Sequence, residues 1–163
     1  MTDFEQIRES FLPDKVRFLF VAQSPPSKDD GFFYQGCAMT GFTQDAFELA
    51  YRVRFHHQRE FLRYFQSCGC YLEDLSHTKG ESNKRTLMEC APFLADRIKE
   101  LSPEKIIIAL KGIKKPVEVA IKLSGRNDVP FVLPFAGNGW QNQYIAQLVE
   151  ILREIMPVPP KRG

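Results

Sequence analysis

The chain has few of the features that mark membrane, secreted or nucleotide-cofactor proteins. Among its 163 residues, no apolar run approaches the roughly 20 that a membrane span requires. The first 15 residues carry too many charges for a secretory signal. No glycine-rich dinucleotide fingerprint follows a predicted strand, and we find no internal repeat or low-complexity segment. These absences predict one soluble, cytoplasmic domain.

Cysteine is scarce and irregularly spaced. The four cysteines are Cys37, Cys68, Cys70 and Cys90, and the pair at 68 and 70 lacks the two-residue gap of zinc ribbons. We therefore expect reduced thiols, no disulfide framework, no metal and no cofactor.

Net charge is also small. The formal charge is +2, so the distribution of charge is more informative than its total. Between Lys105 and Arg126 there are six basic residues against one acidic residue, Glu118. This excess predicts either a phosphate-facing edge or an ordinary solvated helix face.

What the chain does have is a near-continuous apolar run that ends abruptly. Residues 18–21 allow no polar face, which is typical of a parallel strand buried on both sides. Ala22, Gln23 and Ser24 then lie at the carboxyl end of that strand, where open α/β sheets place their ligand crevices. Pro25 and Pro26 forbid further strand pairing and indicate a rigid loop.

The rest of the chain alternates helical and strand patterns. Further strands are predicted at 69–75, 105–110 and 130–134, and helices at 2–12, 43–55 continuing through 59–65, from 92, around 117–123, and at 140–155. Alternation of this kind predicts an α/β fold, a three-layer α/β/α sandwich on a four-stranded parallel sheet with the first strand central. Residues 1–156 form the domain, and residues 157–163 a flexible tail.

The segment Ala22-Gln23-Ser24-Pro25-Pro26, followed by the aromatics Phe32, Phe33 and Tyr34, resembles the first motif of the uracil-DNA glycosylase superfamily. Asp74 ends the second strand where that family has the Asn that reads the base edge. The segment from Leu133 to Gly139 occupies the place of the family's His-Pro-Ser-Pro motif. The resemblance implies a DNA N-glycosylase that flips a base into the crevice. Cys90 is similar to one cluster ligand of thermophile-type members, but an iron–sulfur cluster needs four such ligands, so none is expected.

The resemblance also implies a role for particular residues. Its catalytic positions are Gln23, Ser24 and Asp74. Its base-binding positions are Phe33, Tyr34, Leu133 and Asn138, and its DNA-binding positions are Gly139, Trp140, Lys114 and Lys115. The partner is then DNA or a nucleotide, and the protein is expected to be a monomer.

Two departures from the family weaken the predicted chemistry. Ser24 stands where the most active members have Asp, and a hydroxyl barely polarises water. Leu133 stands where a His would stabilise the departing uracil anion. A catalytically inactive relative that binds nucleic acid or a nucleotide in the same pocket is therefore the alternative, and a Rossmann-type small-molecule enzyme is a third, weaker class.

Each candidate also has a purely structural interpretation. Gln23 and Ser24 could cap their own loop, and residues 32–34 could anchor that loop in the core. The segment 138–140 could enter a duplex or simply cap a helix. His77 is the histidine near the predicted mouth of the crevice. Asp74 would carry a free-energy cost in an apolar crevice unless something binds it.

Overall fold

The computed structural model describes residues 3–161. Over this range the strands are β1 (Phe18–Ala22), β2 (Cys70–Asp74), β3 (Lys105–Ile108) and β4 (Phe131–Val132). The helices are α1 (Phe4–Glu9), α2 (Ala38–Tyr51), α3 (Gln58–Ser67), α4 (Lys84–Glu89), α5 (Ala91–Leu101), α6 (Lys114–Leu123) and α7 (Gln141–Ile155). Short 3₁₀ turns occupy Phe33–Gln35 and Lys111–Ile113.

The four strands form one parallel sheet in the order β2-β1-β3-β4. The predicted α/β class, the parallel sheet and the central position of the first strand are confirmed. Phe18, Leu19, Phe20 and Val21 are almost completely buried, as expected for a strand with no polar face. No helix in residues 3–161 is long and apolar enough to cross a membrane.

The helices pack in two groups. Helix α2 contacts α7, helix α5 contacts α6, and α3 packs on β2. Because each of the strands ends at the same edge of a parallel sheet, the loops after β1, β2, β3 and β4 all lie at that carboxyl edge. The amino ends of the helices that follow these loops, α6 and α7 among them, lie there too.

Several element boundaries differ from the predictions. The predicted first helix begins at Phe4 and ends at Glu9. Asp3 caps it, since the Asp3 carboxylate accepts from the Gln6 amide at 3.1 Å. The stretch before Pro92, for which no helix was predicted, contains the additional helix α4, which Asn83 caps by accepting from the Thr86 amide.

The last strand is shorter than predicted. Only Phe131 and Val132 pair with β3, because Pro130 and Pro134 have no N–H to donate to a sheet ladder. The predicted tail contacts the domain, since the Tyr64 hydroxyl donates to the Pro160 carbonyl at 2.9 Å.

The outer strand β2 is buried along its whole length, although it is an edge of the sheet. Tyr34 explains part of this burial. Its hydroxyl accepts from the Leu72 amide at 2.6 Å and donates to the Leu72 carbonyl at 3.2 Å, so it takes the place of a neighbouring strand. Burial raises the pKa of Tyr34 well above its usual range, so the phenol keeps the proton it donates.

Candidate functional site

The ends of β1 and β2 lie side by side at the carboxyl edge. The register pairs Ala22 with Asp74, so the segment that follows β1 and the acidic end of β2 are neighbours. Sequence reasoning placed both at this edge, and the structure brings them together. What the side chains contact there differs from one residue to the next.

Gln23 and Ser24 both face the loop that follows β2. The Gln23 side-chain amide and the Ser24 hydroxyl donate to the same carbonyl, that of Glu81, at 2.9 and 3.0 Å. The backbones are joined as well, because the Ser76 amide donates to the Gln23 carbonyl at 2.9 Å and the Gly80 amide to the Pro25 carbonyl at 2.8 Å. These two polar side chains therefore tie one loop to another, a structural role that differs from the predicted capping of their own loop.

The aromatic residues after the diproline lie in the core. Phe33 and Tyr34 are both buried, and Phe33 packs edge-on against Tyr34 with ring centroids 5.1 Å apart. Phe32 is also buried and stacks on Phe4 of α1 at 4.3 Å. In this arrangement these rings anchor the loop and α1, and none of the three presents an open face to a base.

Asp74 is almost completely buried, and its partner comes from the start of the chain. Its Oδ2 accepts from Nη2 of Arg8 at 2.5 Å, and the Arg8 side chain is itself only 1% exposed. Burial raises the pKa of Asp74 to about 6, while the adjacent Arg8 opposes the rise. The predicted cost of a buried acid is thus offset by an arginine that sequence reasoning did not select.

Glu73 is the other buried carboxylate at this strand end. Its Oε1 lies 2.7 Å from Nε2 of His77, 3.0 Å from Nη1 of Arg97 and 3.2 Å from Nε of Arg8. Burial alone would raise its pKa, but the His77 hydrogen bond and the cations Arg97 and Arg8 together lower the pKa below its usual value. Two adjacent carboxyl groups therefore have pKa values displaced in opposite directions, a property that often marks functional sites.

His77 connects this cluster to α1. Its Nδ1 lies 2.9 Å from Oε1 of Glu5, while its Nε2 faces Glu73. Arg97 also donates to the Asp74 and Leu75 carbonyls, at 2.8 and 3.1 Å, so it fixes the end of β2. His77 therefore holds α1 against the strand end through Glu5.

The remaining predicted residues follow β3 and β4. Leu133 is completely buried. Its side chain also has no polar group that could form a hydrogen bond with a base. Asn138 and Gly139 are exposed and both have positive φ, 53° and 85°. Trp140 is 51% exposed where α7 begins, and its indole does not serve as a side-chain cap.

Two lysines complete the predicted set. Lys114 and Lys115 are exposed in the first turn of α6, directly after the turn that contains Lys111. Because β3 and β4 are neighbours, their following loops are neighbours at the carboxyl edge. The structure therefore brings these lysines to the same edge as Trp140, and separates both from the buried cluster at Asp74.

Sequence reasoning missed three residues that matter at this edge. Arg8 could have been noticed as a charged residue four positions after Phe4 on the apolar side of a short amphipathic helix. Nothing in the sequence around Arg97 indicated that its side chain would contact the end of β2. Phe135 lies in the loop after β4 and is 50% exposed. Its position between Pro134 and Ala136 in the sequence did not indicate that it would be exposed.

No cluster of three or more potential metal ligands occurs within residues 3–161. No family model matches the chain, and no curated protein matches it.

Proposed function

We propose that this protein binds single-stranded nucleic acid across the carboxyl edge of its sheet. Bases stack on Phe135 and Trp140, and phosphates contact Lys111, Lys114 and Lys115. The observation that carries the proposal is the half exposure of two large aromatic side chains after β4, at the sheet edge where the loop after the neighbouring strand β3 leads into this lysine cluster.

The physical reason is the combination of the two kinds of group. Aromatic side chains stack on any base, and each stacked base contributes about 1 to 3 kcal/mol to affinity. Lysines near the strand add a salt-dependent attraction to phosphates. A single exposed aromatic residue is common on a protein surface, whereas two exposed rings and three exposed lysines at one edge of the sheet are suited to an anionic polymer with flat bases.

We also propose that the fold is the three-layer sandwich of the uracil-DNA glycosylase superfamily. The all-parallel sheet, the two groups of helices and the pairing of Ala22 with Asp74 support this proposal. They are consistent with helical layers on both faces of the sheet.

Base excision is the second candidate function. The observation that favours it is the position of the Gln23 and Ser24 segment beside Asp74, two neighbouring strand ends at the edge where α/β proteins bind ligands. Binding without excision is nevertheless better supported. Gln23 and Ser24 already donate to the Glu81 carbonyl, and the buried Leu133 offers no hydrogen bond to a leaving base.

The test of binding uses the intrinsic fluorescence of Trp140, the one tryptophan of the chain. Titration with an oligothymidine strand should quench this fluorescence, and the same affinity should be measured by anisotropy of a labelled strand. We expect Trp140→Ala to weaken binding in the anisotropy assay by about 5- to 150-fold, the equivalent of about 1 to 3 kcal/mol. An unchanged anisotropy affinity would contradict the stacking role.

The lysines are tested separately. The double variant Lys114→Glu, Lys115→Glu should weaken binding and flatten the dependence of affinity on salt, by about 0.7 in log–log slope for each lost phosphate contact. The matched control is Lys99→Glu, Lys122→Glu, which makes the same charge change at the last turns of α5 and α6, away from this edge. Equal losses in both double variants would mean that net charge alone drives binding.

Excision is scored on the same protein. Oligonucleotides that contain uracil, hypoxanthine, xanthine or a mismatch are incubated with it and assayed for abasic sites. We expect binding without appreciable release of any of these bases, and rapid release of one of them would make excision the function.

A further inference from the structure

The segment that joins α2 to α3, together with the first half of α3, is rich in arginine. Residues 52–63 contain four of the eleven arginines, two of the three histidines and one acidic residue, Glu60. All four arginines are exposed, and none of them forms an ion pair within residues 3–161, whereas five arginines elsewhere in that range do. This surface therefore keeps a concentration of positive charge that attracts an anionic partner.

Two of these arginines, Arg59 and Arg63, lie on the same face of α3. They are four positions apart, so their side chains leave the helix about 6 Å from each other. Arg63 is held in place, because its Nη1 donates to the Ser10 carbonyl at 3.1 Å and to the Gln66 side chain at 2.9 Å. Its central carbon also lies 4.2 Å from the centre of the Phe11 ring. The unused N–H groups of both guanidiniums can contact phosphate oxygens, which a planar guanidinium binds with two parallel hydrogen bonds.

Open grooves lie on both sides of this arginine pair. The groove between α1 and α3 has a volume of about 480 Å³, and Gln35 and Gln58 add neutral polar groups to its lining. The groove on the other side has a volume of about 610 Å³ and is also lined by His56 and His57. Glu60 is the one carboxylate among the described residues that line either groove. The pair is therefore accessible to a chain of anionic groups.

The start of α3 lies in a row with the starts of α2 and α7. Thr43, near the start of α2, shares a hydrogen bond of 2.9 Å with Tyr144, near the start of α7. Gln58, the first residue of α3, donates to the carbonyl of Cys37, the residue before α2, at 3.4 Å. Because α2 packs against both α3 and α7, and packed helix axes lie about 8 to 10 Å apart, the start of α3 is about 20 Å from Trp140, where α7 begins.

The surface between these two places carries no charge of its own. Residues 31–44, which lead into α2 and form its first half, contain no Asp, Glu, Lys or Arg. Ala38, the first residue of α2, is exposed and has a small side chain. A phosphate backbone that crosses the start of α2 therefore meets no carboxylate of this segment.

We infer that a strand stacked on Phe135 and Trp140 continues across the start of α2 and places its phosphates on Arg59 and Arg63. The inference rests on the proposed nucleic-acid binding, and it adds a second contact surface to that site. A helical strand rises about 3.4 Å per nucleotide, so about six nucleotides cover the distance of about 20 Å between the two surfaces. With two bases stacked at one end and two phosphates bound at the other, the ligand is a strand of about ten nucleotides or more and not a free nucleotide.

The experiment compares oligothymidine strands of about four and about twelve nucleotides, because the shorter strand cannot reach from Trp140 to the arginines. Binding to the full-length wild type and to the double variant Arg59→Glu, Arg63→Glu is followed by the quenching of Trp140 fluorescence. The matched control is Lys99→Glu, Lys122→Glu, which makes the same charge change in the last turns of α5 and α6.

We expect the arginine double variant to bind the long strand about 10- to 30-fold more weakly than the wild type does, as the loss of two exposed ion pairs predicts. The dependence of this affinity on salt should become shallower by about 1.4 in log–log slope, or about 0.7 for each of the two lost phosphate contacts. Affinity for the short strand should equal that of the control variant. This combination separates a direct phosphate contact from a change in net charge.

Failure of this inference and failure of the proposed function give different results. If the short strand quenches Trp140 fluorescence but the arginine variant binds the long strand as the control does, the aromatic surface stands and the path to α3 is refuted. Losses beyond those of the control that are equal for both strand lengths would also refute the path, because the short strand does not reach α3. If Trp140→Ala binds both strands as tightly as the wild type does by anisotropy, the proposed function fails, and the path fails with it.

An acidic protein segment is the other anionic partner, and it is tested by competition. A polyglutamate peptide of about twelve residues is added to the wild type with the labelled long strand. We expect it to compete far less well than unlabelled oligothymidine, because carboxylates offer no flat base to the exposed rings. Equal competition would assign the arginines to an acidic segment and overturn the inference.

If the double variant does not fold, Arg59→Glu alone is measured. Arg59 is exposed in the first turn of α3, where an acidic side chain is favourable, so this change should leave the fold intact. The salt slope for the long strand should then fall by about 0.7, the share of one phosphate contact. An unchanged slope would refute the contact at Arg59.

Discussion

Replacing Asp74 by Asn should remove part of the pH dependence of the free energy of unfolding. Burial raises the pKa of this carboxyl from 3.8 to about 6 in the folded protein. A group whose pKa is raised on folding favours the folded state when it is protonated. Its contribution is therefore complete below about pH 4 and is lost as the pH rises through about 6.

The size follows from the displacement of the pKa. A change from 3.8 to about 6 is about 2.2 units, and each unit is worth about 1.4 kcal/mol, so the wild type should lose up to about 3 kcal/mol from this group between pH 4 and pH 7. Asn cannot ionise and lacks this loss. The lowered pKa of Glu73 acts in the opposite direction, but it acts in both proteins and largely cancels in their difference.

The assay is urea unfolding of wild type and Asp74→Asn at half-unit steps of pH from about 4 to about 7. The difference in unfolding free energy should shift in favour of the variant by up to about 3 kcal/mol as the pH rises. If the shift instead favours the wild type, the ion pair with Arg8 outweighs burial, and the pKa of Asp74 is lowered rather than raised.

Two more predictions concern the same edge. Gly80→Ala should destabilise the protein by about 1 to 2 kcal/mol more than Gly125→Ala, because both glycines have positive φ but a Cβ at Gly80 would lie 2.9 Å from that of Ser27, whereas nothing lies within 4 Å at Gly125. Urea unfolding measures both, and equal losses would show that the loops at this edge are not tightly packed. Asp74→Asn should also raise uracil binding or release above wild type, because an Asn amide can both donate to and accept from uracil while a carboxylate only accepts, a difference of about 2 to 4 kcal/mol. Abasic-site assays on uracil oligonucleotides measure it, and strong uracil release by the wild type that Asp74→Asn abolishes would contradict the prediction.

The sequence determined the framework of this fold through local patterns. The apolar run at 18–21 and the isoleucines of β3 specify strands covered on both faces, and the alternation with helical patterns specifies a parallel sheet. Pro25 and Pro26 mark where the first strand ends. These features were predictable because burial of an apolar strand depends on its own residues.

Short and weakly patterned elements were less predictable. Helix α4 has six residues and a single buried one, Leu87, so its apolar periodicity is faint, although Asn83 was available as a capping signal. Aromatic residues were ambiguous in another way. The same three-residue run at 32–34 could stack on a base or anchor a loop, and only packing against Phe4 and Phe11 decided that it is buried.

The partners at the candidate site were decided by tertiary structure. Arg8 and Asp74 are 66 positions apart, and their ion pair exists because α1 folds back over the end of β2. The exposure of Phe135 and Trp140 likewise depends on where the loop after β4 lies. The sequence alone placed Asp74 at the edge of the sheet and indicated that it needed a partner, since an isolated carboxylate is costly to bury. The identity of that partner required the chain to be folded, because a contact between distant residues is set by the packing of whole elements and leaves no periodic trace in either segment.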